Sequence, residues 1–240
     1  MVRLKESVLL LLVSLTVVGC FQTPSTSEIV GRPDLHRDEL ADDADVQSVQ
    51  VQALSTGSER FAPVVRKYAE KFGVDWVLVL AVMQQESRFN RNALSHRGAF
   101  GLMQIMPQTR LELEEKLGVD ETLTPRNNIK AGIYHLKRLS KSFSSSSEED
   151  QTRLTLAAYN AGLSRILDAQ DVAAHLGEDP RTWKAVRAAL PLLSRRYYTL
   201  HQQIWESGQP RAGYFSDWKQ TTMYVDRIEE YYGHYDVAMR

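Results

Sequence analysis

Apolar residues recur at helical spacing along most of the chain from about residue 58 onward. Ser58 is placed to cap a first helix running through Phe72, with Phe61, Val64, Val65 and Tyr68 on one face and Gly73 as its stop. Asp75 is placed to cap a second, whose Trp76, Val77, Leu80, Ala81 and Met83 lead toward Glu86. Pro107 suits the first turn of a third helix through Leu117, ended by Gly118. Ile129, Ile133, Leu136 and Leu139 form a further helical stripe. Ser142 to Asp150 reads as a serine-rich acidic loop, and Leu154 to Ala161 as an apolar helix ended by Gly162. Segments 180–189, 191–205 and 218–232 also carry helical patterns. No convincing series of alternating strands is present, so the fold class is mainly α.

The pattern before residue 58 is different. Arg3 and Lys5 precede an apolar run, Val8 to Val18, that is short for a bilayer span and suits a signal-peptide core. It leads into Val17-Val18-Gly19-Cys20, which resembles the lipobox of bacterial lipoproteins. The implied processing is cleavage before Cys20 and lipid attachment to its thiol. Residues 1–19 are then a lipoprotein signal peptide. Residues 20–56, with Thr23 to Ser27 and the acidic run Asp38 to Asp45, are a lipidated tether with little to build a core. Residues 57–240 are the folded domain. Phe21 rather than Asp after the cysteine favours, by analogy with Gram-negative sorting, the periplasmic face of the outer membrane.

Composition narrows the chemistry. Cys20 is the only cysteine, so once it is lipidated no disulfide or thiolate metal site is available. A net charge of −1 gives no global basic field for nucleic acid. The six histidines show no tight ligand spacing, and neither H-E-x-x-H nor G-x-S-x-G occurs. No metal or other cofactor is expected.

One stretch concentrates candidate chemistry: Gln85 to Pro107, Q-E-S-R-F-N-R-N-A-L-S-H-R-G-A-F-G-L-M-Q-I-M-P. Glu86 ends an apolar helix, and apolar surroundings raise a carboxyl pKa by penalising its charged form. Such an acid can protonate a poor leaving-group oxygen near neutral pH, as glycosidic cleavage requires. Ser95 is a candidate donor to a substrate acetamido group. Gly98 and Gly101 allow close approach or positive φ, Met103 is a candidate lining residue of a sugar subsite, and Gln104 can bond sugar as donor and acceptor. Downstream, Tyr159 is placed to set its hydroxyl against Glu86, and Asn160 to bond substrate or brace its loop.

These residues resemble the lytic transglycosylases, the lysozyme-like enzymes that cut peptidoglycan glycan strands. The resemblance rests on Glu86-Ser87, Ser95, Gly98-x-x-Gly101-Leu102-Met103-Gln104 and Ala158-Tyr159-Asn160-Ala161-Gly162, with Asn128-Ile129 and Tyr224-Val225 in support. It covers residues 60 to 240. Leu167-Asp168-Ala169, Trp183, Leu190 to Ser194 and Tyr197-Tyr198 narrow it to the catalytic module of the membrane-bound F type. That type carries a solute-binding-like module ahead of the catalytic one, for which this chain has no room. The resemblance implies a lysozyme-like helical domain of the goose-type or soluble-transglycosylase kind, with a substrate groove. It implies cleavage between N-acetylmuramic acid and N-acetylglucosamine by one carboxyl, Glu86, acting as acid and then as base, leaving 1,6-anhydromuramoyl ends. It implies a groove tyrosine at Tyr224. The expected partners are peptidoglycan strands, the membrane through the lipid anchor, and other cell-wall enzymes or regulators.

Two other readings remain open at this point. A hydrolytic muramidase would need a second carboxylate across the groove, such as Glu148, Glu149 or Asp150. A catalytically silent glycan-binding scaffold would need none.

Overall fold

A computed structural model describes residues 57–118 and 123–239. The segments expected to be a signal peptide and a tether, with Cys20 between them, lie outside the described residues. Among those described are nine α-helices and no sheet, with only two isolated bridges, Leu94 with Phe100 and Phe100 with Ile105.

Helix α1 spans 57–72 and α2 spans Trp76–Ser87. Ser58 is buried within α1. The Asp75 carboxylate accepts from the Val77 N–H at 2.8 Å and caps α2 as expected. Val77 and Val79 through Met83 are fully buried, so α2 is apolar on nearly every side and runs through the core. Each of these side chains apart from Ala81 contributes about 1.5–3 kcal/mol of burial. The apolar run stops at Met83, and Gln84 to Ser87 come out half-buried.

Helices α3 (Pro107–Leu117) and α4 (Pro125–Ser140) begin with proline in the first turn. Gly118 ends α3 in the left-handed conformation, and the stripe from Ile129 to Leu139 faces the core. Helix α5 runs Glu148–Ala161 and starts well before the apolar positions that signalled it. Ser147 caps it, and Glu148, Glu149 and Asp150 occupy its first turn, where negative charge suits the helix dipole. The expected acidic loop therefore ends at Ser147. Gly162, at φ 93°, turns the chain straight into α6 (Leu163–His175), which the sequence pattern did not mark as a helix.

Helix α7 (Trp183–Ala189) is followed by 3-10 turns at Leu190–Leu193 and Arg195–Tyr197 and by α8 (Tyr198–Ile204). The single helix expected over 191–205 is thus broken; Ser194 is extended between the two 3-10 turns. Helix α9 (Trp218–Met239) packs along α2 and α5, burying Thr221, Tyr224, Val225, Ile228 and Tyr235 on one face. That face brings Tyr224, in the second turn of α9, to the end of α2.

Candidate active site

Glu86 sits in the last turn of α2, half-buried, where the helix leaves the core. Tyr224 of α9 is almost wholly buried, and its hydroxyl donates to Glu86 Oε1 at 2.5 Å. Burial pushes the Glu86 carboxyl up to about 7, and the Tyr224 bond, which favours the ionised form, pulls the other way. Burial and the Glu86 charge hold both Tyr224 and Tyr159 well above the usual phenol range, so each stays a neutral donor.

A cavity of about 430 Å³ opens over this carboxyl, lined by Gln85, Glu86, Asn160, Gln220, Met223, Tyr224 and Arg227. Glu86 is its one carboxyl among the described residues. A larger cavity of about 920 Å³ lies between α1 and the end of α9 and holds none of the motif residues.

The structure brings Glu86, Asn160 and Tyr224 together and assigns the other motif residues different tasks. Tyr159 does not bond Glu86; its hydroxyl donates to the Met103 carbonyl at 2.7 Å and ties α5 to the loop before α3. The place expected for Tyr159 is taken by Tyr224. Met103 is fully buried against Gly132 of α4, so its side chain is core and lines no subsite. Gln104 spends both amide hydrogens internally, on the Ala93 carbonyl at 3.0 Å and the Gly101 carbonyl at 2.8 Å. Only its carbonyl oxygen is left for a ligand, as acceptor. These bonds also hold Gln104 at φ 44°, a left-handed conformation costing a non-glycine residue about 1–3 kcal/mol.

Ser95 Oγ accepts from the Ala99 N–H at 2.9 Å, which braces the turn and leaves its hydroxyl proton to donate. The Asn160 carbonyl oxygen accepts from Thr221 Oγ1 at 3.0 Å, so its two amide hydrogens are free for the cavity. Ser87 donates to the Leu102 carbonyl at 2.9 Å and ties the end of α2 to the same loop. Asn128, buried on α4, accepts from the Met103 N–H at 2.9 Å and donates to the Phe100 carbonyl at 3.0 Å. Gly101 passes over Asn128, and a Cβ there would meet the amide at 2.6 Å.

The acidic residues considered as a second carboxylate are elsewhere. Asp150 accepts from the Trp183 N–H at 2.8 Å, and Glu149 pairs with Arg153. They begin α5, whereas Asn160 ends it. At 1.5 Å per residue that separates them by about 15–18 Å along the helix.

Residues 63–182 match the Transglycosylase SLT domain. The chain belongs to that family. Tyr224, the partner of the candidate acid, lies beyond the matched span. Membrane-bound lytic murein transglycosylase F of Desulfosudis oleivorans is 37% identical over 183 residues, covering 75% of this chain and 37% of that protein. The protein of the same name from Vibrio cholerae is 34% identical over 185 residues, covering 76% and 32%. This chain spans about a third of the length of these relatives. The crystal structure of the 70 kDa soluble lytic transglycosylase from Escherichia coli matches with a TM-score of 0.52 at 23% identity, over 76% of this chain and 26% of that one. That likeness establishes the fold: a helical SLT domain.

The sequence motifs singled out Glu86 as the candidate acid, and the resemblance pointed to Tyr224 as a groove residue. Gln220 and Arg227 had no signal of their own. They reach the cavity because they share one face of α9 with Tyr224.

Proposed function

We propose that this chain is a peptidoglycan lytic transglycosylase. The observation that carries this reading is a single carboxyl, pushed up to about 7 and hydrogen-bonded to Tyr224, on a cavity whose own walls hold no second carboxylate among the described residues; Asp217 stands on the adjoining cavity. Protonated Glu86 gives its proton to the oxygen between N-acetylmuramic acid and N-acetylglucosamine, and the C1–O4 bond breaks. The carboxylate so formed takes the proton from the muramoyl C6 hydroxyl as O6 bonds to C1. The products are a 1,6-anhydromuramoyl end and a free 4-hydroxyl; no water is consumed. Asn160 and Ser95 donate to the sugars, and Gln104 accepts from them.

The hydrolytic reading loses support because Glu148, Glu149 and Asp150 stand at the far end of α5. Mass spectrometry of products from purified peptidoglycan, with Glu86→Gln alongside, tests the proposal. Anhydromuramoyl ends that vanish in the variant are expected; reducing ends would make the protein a muramidase. No cleavage by folded wild type would favour a glycan-binding scaffold.

The lipobox-like Val17 to Cys20 and the membrane-bound naming of the relatives support attachment through a lipid on Cys20, on the periplasmic face of the outer membrane. Loss of fatty-acid labelling and of membrane fractionation in Cys20→Ser is the expected result.

A further inference from the structure

A second, smaller cavity adjoins the one over Glu86. It measures about 250 Å³, and Asn160 and Gln220 line both. Its other walls include Arg97, Arg165, Phe215 and Asp217.

Arg165 of α6 is the unusual wall. Its Nη1 donates to the Ala161 carbonyl at 2.8 Å, and its guanidinium lies over the Phe215 ring at 5.0 Å from the centroid. These two contacts hold the fork in place, while its Nε is buried without an acceptor. Several other arginines among the described residues pair with carboxylates: Arg153 with Glu149 and Glu229, Arg187 with Asp226, Arg211 with Asp171. Among the described residues no carboxylate pairs with Arg165. Arg97, at the mouth, is 74% exposed and only 3.6 Å from Asp217, itself 55% exposed, a contact of little energetic weight. Arg227 adds a third guanidinium on the wall of the Glu86 cavity. The joined cavities thus carry three guanidinium groups against one exposed aspartate and a carboxyl that burial keeps largely protonated below about 7.

This charge matters for a substrate built of neutral sugars. The muramoyl carboxyl is consumed in the amide bond to its peptide, so the anions of peptidoglycan are on the peptide stems. A planar guanidinium held in place before binding suits a carboxylate better than a sugar hydroxyl. We propose that the Arg165 cavity takes an ionised carboxylate of the peptide stem on the muramoyl sugar, making Arg165 a specificity residue for stem-bearing glycan. The inference rests on the peptidoglycan reading given above.

The test measures kcat/KM on three glycans: stem-bearing strands, strands stripped of stems by an amidase, and stem-bearing strands whose carboxylates have been chemically amidated. Wild type is expected to prefer the first about tenfold over each of the others, the size of one charge-assisted hydrogen bond. The amidated strands need no variant and so cannot mislead through misfolding. In folded Arg165→Met the ratio should fall toward one, and Arg165→Lys should keep part of it. Wild type that uses amidated stems as readily as ionised ones overturns the proposal, as does full preference in folded Arg165→Met. Should wild type cleave none of the three, the cleavage reading fails separately. Calorimetric affinities for the same glycans then decide the inference, and equal affinities overturn it.

Discussion

Tyr224 and Glu86 stand 138 residues apart in sequence and share a hydrogen bond of 2.5 Å. The bond stabilises the ionised carboxylate, while burial destabilises it more strongly. Removing the hydroxyl leaves the burial unopposed. Tyr224→Phe should therefore move the Glu86 titration above about 7, and the alkaline limb of the pH–rate profile with it. Cleavage at the optimum should fall by roughly tenfold, since the carboxyl also loses its orienting partner. A limb that moves to lower pH would mean that some other group governs the titration.

Tyr159→Phe should behave differently. Its hydroxyl serves the Met103 carbonyl, and the lost bond leaves that carbonyl without this donor. The expected result is a loss of about 1–2 kcal/mol in denaturant stability. The alkaline limb should stay where it is. A limb shift equal to that of Tyr224→Phe would restore Tyr159 as the carboxyl's direct partner.

The difference between the two tyrosines marks where the sequence stopped being legible. Glu86 stood out because a lone carboxylate closed an apolar run. The helices of the core were readable wherever a cap or stop accompanied the period, as at Asp75, Pro107 and Gly118. Helix α6 was missed because Gly162 looked like an end, and its φ of 93° allows a corner with no intervening loop. Met103 looks like a lining residue in the sequence because it stands beside Gln104 in the motif. Its burial depends on the missing side chain of Gly132, on another helix. Local spacing carries no information about such a pairing, and the same holds for which tyrosine reaches Glu86.

The raised Glu86 pKa also has a consequence for stability. In the unfolded chain the carboxyl ionises near 4.5, and in the folded protein near 7. Between those values the unfolded state has released more protons, so stability falls as pH rises through the window and then levels off. At 1.36 kcal/mol per unit the deficit above pH 7 is at most about 3 kcal/mol. Glu86→Gln does not titrate and still offers an oxygen to Tyr224. It should therefore be more stable than wild type in denaturant at pH 8, with the gap closed at pH 4. Cleavage should fall by about a thousandfold, the usual worth of a general acid. Parallel stability curves from pH 4 to 8 would show that Glu86 is solvated and titrates normally.

Gly132→Ala tests the packing that sets the loop carrying Gln104. A Cβ on Gly132 would lie 2.6 Å from both Cβ and Cγ of Met103 and 2.7 Å from its Cε. The Met103 Cβ is fixed to the backbone, so relief requires the loop or α4 to move. Overpacking of this kind costs about 1–3 kcal/mol, and the better helix propensity of alanine returns at most about 1 kcal/mol. The loop is held by Tyr159 and Asn128 as well, so its displacement should disturb the substrate contact proposed for Gln104 more than the carboxyl. KM should rise more than kcat falls. Met103→Ala removes Cγ and Cε and should cost stability alone, yet it should cost less in the Gly132→Ala background. That coupling in a double-mutant cycle is the expected signature of direct contact, and additive losses would place the two side chains apart.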